Sequence, residues 1–223
     1  MTKLGASYWR CVLVCVAATL VAGCWPRAQT EGLDAHYHPT TLVEGYEYAL
    51  DKATEWSPAS FLEGASVGYK WEQQTWRPHR LSYVFVDAQR QESMLIVLRL
   101  ETQVAELNPG VPLEQSQAST LPFLLAENPV DEREALEIAD AALGNYVVLN
   151  CRNPELALRG HGLGERQYWA VTYTASEPTW RVVGELSVDA RTGAVVSPRD
   201  LTGACQEWTD EAVRVVSGCR DRS

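Results

Sequence analysis

The chain has 223 residues, 19 Lys and Arg against 29 Asp and Glu for a formal net charge of −10, and 46% hydrophobic residues. So acidic a balance disfavours nucleic acid and anionic lipid surfaces as partners. The length is enough for one large domain or two small ones with real cores, and no apolar stretch reaches the roughly 20 residues of a membrane-spanning helix.

Lys3 and Arg10 precede a short apolar run, Cys11 to Ala22, as in a secretory leader. Val21-Ala22-Gly23-Cys24 closes it. A small residue before a cysteine at that place resembles the lipobox of bacterial lipoproteins. The resemblance implies removal of residues 1–23, diacylglycerol on the Cys24 sulfur and acylation of the new amino group. The protein would then be extracytoplasmic and anchored in the bilayer by two or three acyl chains, each buried methylene contributing about 0.8 kcal/mol. Trp25 is not the Asp that often retains such proteins in an inner membrane, which favours the outer one where there are two. Losing Lys3 and Arg10 leaves 17 basic against 29 acidic residues, a net charge of −12.

Residues 24–39, with Pro26, Gly32 and Pro39 and no hydrophobic period, read as a tether, so that 40–223 is expected to fold by itself. His36 and His38 in it could share one side of an extended chain, but nothing local completes a metal site and both read as solvated. Thr41 with Glu44 forms a capping-box pattern, and Leu42, Tyr46, Ala49, Leu50, Ala53 and Trp56 recur at helical spacing over 42–56. Strand patterns follow at 61–69, 71–76, 81–87 and 94–101, completing a first unit over 40–103. Four prolines and Asn108-Pro109-Gly110 make 104–130 a linker.

Asp131 with Glu134 caps a second predicted helix from Glu132 to Leu143, stopped by Gly144. Strands are predicted at 145–150, 167–175, 181–189 and 194–196, within a unit over 131–198, with 199–223 a C-terminal extension. Ala49-Leu50-x-x-Ala53 repeats as Ala135-Leu136-x-x-Ala139, and Val84-Phe85-Val86 lies at a similar offset from Val171-Thr172-Tyr173, which suggests duplication.

Val188-Asp189-Ala190-Arg191-Thr192-Gly193-Ala194-Val195 has side-chain acceptors and a glycine where a tight hairpin needs them. With Tyr168-Trp169-Ala170-Val171 before it and an Ala-rich helix from 132, it resembles a PepSY domain. That likeness implies an α+β protein of two tandem PepSY-like units, each one helix packed on a small antiparallel sheet. It also implies a non-catalytic envelope module that binds or regulates a protein or peptide. A narrower form is direct inhibition of an exported peptidase, and an enzyme of unknown class is a third reading.

The remaining chemistry points the same way. Ser66 in Gly64-Ala65-Ser66-Val67-Gly68 lacks the helix that follows a nucleophile elbow, and Gly160-x-Gly162-x-Gly164 precedes a strand, unlike a dinucleotide loop. Glu127, Asp131, Glu132 and Glu134 gather where negative charge complements a helix dipole. His79 reads as a strand-entry residue and His161 as part of a hairpin loop. No catalytic, metal or cofactor site is predicted. Cys205 and Cys219 are the nearest disulfide pair, worth roughly 3 kcal/mol in the chain-entropy account, with Cys151 an alternative partner. Trp71, Trp76 and Trp180 lie near strand ends, where aromatic side chains could anchor a partner.

Overall fold

The computed structural model describes residues 28–113, 123, 125, 127–163, 166–175, 181–196 and 214–215. Helix α1 (Leu42–Trp56) starts where the capping box places it. The Thr41 hydroxyl accepts from the Glu44 amide at 3.2 Å, and the Glu44 carboxylate accepts from the amides of Thr40 and Thr41 at 2.6 and 3.2 Å. The helix buries Leu42, Gly45, Ala49 and Ala53 and ends at Ser57.

Four antiparallel strands follow: β2 (Phe61–Glu72), β3 (Thr75–Asp87), β4 (Glu92–Arg99) and β5 (Val104–Pro112). Leu81, Tyr83 and Phe85 of β3 are wholly buried while Arg80, Ser82 and Val84 between them are not, the period-2 pattern of a sheet covered on one face. Helix α2 (Glu132–Ala139) continues through a π-helical turn (Asp140–Gly144) into α3 (Asn145–Asn150). A second meander comprises β6 (Pro154–Leu163), β7 (Arg166–Ala175), β8 (Arg181–Asp189) and the short β9 (Val195–Val196), and β10 (Arg214–Val215) adds to β8.

The tandem-unit expectation is overturned. Strands β2 and β6, the first of each meander, pair antiparallel from Gly64 with His161 to Lys70 with Glu155. The result among the described residues is one ten-stranded sheet, which begins with the edge strand β1 (Gln29–Gly32) and runs in the order β1-β5-β4-β3-β2-β6-β7-β8-β10, with β9 beside β8. One hydrophobic core runs across the seam, joining Leu42, Tyr83 and Phe85 to Leu156, Leu158, Trp169 and Tyr173. Gly64 to Gly68 of β2 pair with β3 on one side and β6 on the other, and a Cβ at Gly64 would come within 3.0 Å of the Gly160 carbonyl of β6.

Other boundaries shift for identifiable reasons. The tether is shorter than predicted, because Gln29–Gly32 forms edge strand β1 on β5, Gln29 opposite Leu107 and Gly32 opposite Val104. The predicted linker begins with β5, whose Pro109 and Gly110 bulge out between the Asn108 and Val111 pairings without ending the strand. Its far end returns Phe123, Leu125 and Val130 to the core. Residues 145–150, predicted as a strand, instead extend the helix past Gly144. The strand of that region is β6, where Leu156, Leu158 and Gly160 alternate inward. His161 pairs within it and is not in a loop.

Candidate functional site

The β2–β3 hairpin turns tightly at Gln73 and Gln74, both with positive φ (50° and 64°), which sets Trp71 directly opposite Trp76. Their rings meet edge to face at 5.1 Å between centroids, and both are partly exposed. The Trp76 indole N–H donates to Asp140 Oδ1 at 2.9 Å, and its ring lies 5.9 Å from that of buried Tyr173. The Tyr173 hydroxyl has no hydrogen-bond partner among the described residues, and burial, then the nearby Asp140 charge, raise its pKa.

The π-helical turn makes this contact possible. Asp140 folds back over Gly144, where any Cβ would collide with the Asp140 carboxylate. The extra residue in the turn redirects the acid toward Trp76. Beyond it α3 exposes Tyr146 and Leu149, the latter by 70%. The predicted partner-binding residues Trp71 and Trp76 are thus brought together, while Trp180 lies outside the described residues.

A second feature sits toward the β8 end of the sheet order. The Asp189 carboxylate accepts from the amides of Arg191 and Thr192, each at 2.9 Å, and Gly193 has φ of +71°, closing the β8–β9 hairpin. The turn forms one wall of an open cleft of about 640 Å³ that also receives Glu127, Arg166 and Gln167. Arg166 and Arg191 line it together with the carboxylates of Glu127 and Asp189, a mixed-charge lining suited to a zwitterionic or polar peptide group.

Glu132, predicted only to complement its own helix, does more. Its carboxylate accepts from the Leu42 amide at 2.7 Å, so it joins the start of α2 to the start of α1, and it is 6% exposed. Burial pushes its pKa up to about 7, against the Leu42 amide and with the charges of Asp131 and Glu44 adding. Tyr83 donates to the Leu42 carbonyl at 2.8 Å beside it.

Cys151, just after α3, is buried and disulfide-bonded. Cys24, Cys205 and Cys219 lie outside the described residues. Ser66 sits mid-strand, paired with Ser82 and Arg159, and His36 and His38 are exposed. Among the described residues no three His, Cys, Asp or Glu side chains converge to hold a metal ion, and no helix is long and apolar enough to cross a membrane.

Comparison of the chain with family models, curated proteins and solved structures finds no match. What the arrangement offers chemically is a partly exposed indole pair held by packing and a hydrogen bond, and a cleft lined by groups of both charges, both suited to recognising another molecule.

Proposed function

We propose that the protein is a cell-envelope lipoprotein, anchored through Cys24, that binds a protein or peptide partner without catalysing a reaction. The observation that carries the binding reading is the Trp71–Trp76 pair. Two large side chains already fixed by edge-to-face packing and by the Asp140 hydrogen bond lose little rotamer freedom when a partner covers them, and such aromatic anchors dominate interface energetics. The lipobox supports the location, and the net charge of −12 after leader removal favours a protein or peptide over nucleic acid.

Two experiments test this. Labelled fatty acid should enter the wild-type protein and not Cys24→Ala; incorporation into that variant would overturn the anchor. For binding, protein carrying a photo-crosslinker beside Trp71 should yield a defined adduct in envelopes, lost on Trp76→Ala without a large fall in melting temperature. An adduct indifferent to that substitution would remove the indole pair from the reading. An exported peptidase in the adduct, inhibited by purified protein, would narrow the role to peptidase restraint.

A further inference from the structure

We infer that Cys151 is joined to Cys219, a disulfide that staples the C-terminal extension to the end of α3. Cys151 is disulfide-bonded, and the sequence offers it Cys11, Cys15, Cys24, Cys205 and Cys219. The first two leave with the leader and the Cys24 sulfur carries the lipid, an exclusion that rests on the lipidation proposed above. Cys205 and Cys219 remain, and strand register separates them.

Cys151 lies three residues before Pro154, where β6 starts. Pro154 pairs with Ala175 at the end of β7, and Ala175 with Arg181 at the start of β8, so this row marks one end of the sheet. Strand β10 runs antiparallel to β8 toward the same end, with Arg214 opposite Glu185 and Val215 opposite Gly184. Four more residues in that register, at about 3.4 Å each, carry the chain just past Arg181. The fourth is Cys219. The two strands between β6 and β10 are no barrier, because the helical run that ends at Cys151 packs over them: α2 rests on β6, β7 and β8, and Cys151 shares the core with Ala175 and Val183.

Cys205 has no such course. Val196 pairs with Ser187 and Arg214 with Glu185, so the stretch that contains Cys205 leaves and rejoins the middle of β8. Reaching the row of Arg181 from there takes about five residue rises, roughly 17 Å, and the same distance back. Ordering so long a detour costs backbone freedom that the direct course of Cys219 does not.

The bond forms by exchange. The two thiols give two electrons and two protons to the disulfide of an envelope thiol oxidoreductase, which leaves as a dithiol, and the new Sγ–Sγ bond stays in this chain. The staple lies at the end of the sheet that carries the indole pair, since Lys70, the neighbour of Trp71, pairs with Glu155, the neighbour of Pro154. It holds the helix that follows Asp140, the hydrogen-bond partner of Trp76.

The test maps the bond in lipidated protein isolated with its free thiols alkylated. Cleavage after arginine leaves the three cysteines in separate peptides, 134–152, 200–214 and 215–220. Without reduction, 134–152 should appear joined to 215–220, with 200–214 alkylated. A link from 134–152 to 200–214, a link between 200–214 and 215–220, or three alkylated peptides would overturn the assignment and leave the lipid anchor standing. A link from 134–152 to the peptide of Cys24 would overturn both. Cys219→Ser should lower the melting temperature by at least about 5 °C, as loss of a bond closing a long loop does, and Cys205→Ser by less than about 1 °C. Equal effects, or the reverse order, would also overturn the assignment.

Discussion

A carboxyl group buried between two helix starts titrates differently in the folded protein and the unfolded chain, and Glu132 is such a group. Folding raises its pKa from 4.5 to about 7, so the folded state holds the proton more tightly. The contribution to stability is complete below pH 4.5 and is lost as pH rises through about 7. A shift of that size corresponds to roughly 3 kcal/mol. Glu132→Gln keeps an oxygen for the Leu42 amide without the charge. It should melt with the wild type at pH 4.5 and above it at pH 8; identical pH dependence of the two melts would refute the assignment. At Gly193 the positive φ strains a β-branched side chain by about 1 to 2 kcal/mol. Gly193→Val should therefore lower the melting temperature clearly, whereas Gly32→Val, whose Cβ would meet nothing within 4 Å, should leave it nearly unchanged. The Asp131 cap and the Asp189 turn were legible in the sequence because their partners lie within three residues. The Glu132 contact spans 90 residues, and no local spacing announces it.

At the scale of elements, α1 was readable to the residue because a capping box and an apolar period agree. The second helix was not. Gly144 reads as a stop, yet it is there so that Asp140 can fold over it, and the β-branched run after it is held helical by burial of Val147. Gly144→Ala should push Asp140 off the Trp76 indole; a lowered melting temperature and an altered tryptophan emission are expected, and unchanged emission would argue against the contact. Strand β1 was missed because an exposed edge strand of Gln, Thr, Glu and Gly carries no hydrophobic alternation, and β5 because Pro109 and Gly110 mimic a loop. A chain starting at residue 40 loses β1 together with the packing of Leu33 and Tyr37. It should still fold, with a melting temperature several degrees lower, as a deficit of 1 to 2 kcal/mol produces in a domain of this size; a chain that melts with the wild type would show that β1 contributes nothing.

Across the whole molecule, the order of elements, helix then meander twice over, was visible in the sequence, but its assembly was not. Pairing of β2 with β6 joins strands some 90 residues apart through backbone hydrogen bonds that no local motif announces. Because the seam and the core are shared, unfolding should be a single transition: circular dichroism and tryptophan fluorescence should report coincident midpoints, and two separated midpoints would mean that the halves are autonomous. The edge strand has a further consequence at this scale. An open strand of Val104, Ala105 and Leu107 would invite a second copy to add to it. The short segment Gln29-Thr30-Glu31-Gly32, with its glutamate tied to helix α1, covers that stretch of the β5 edge, a safeguard against sheets growing from molecule to molecule.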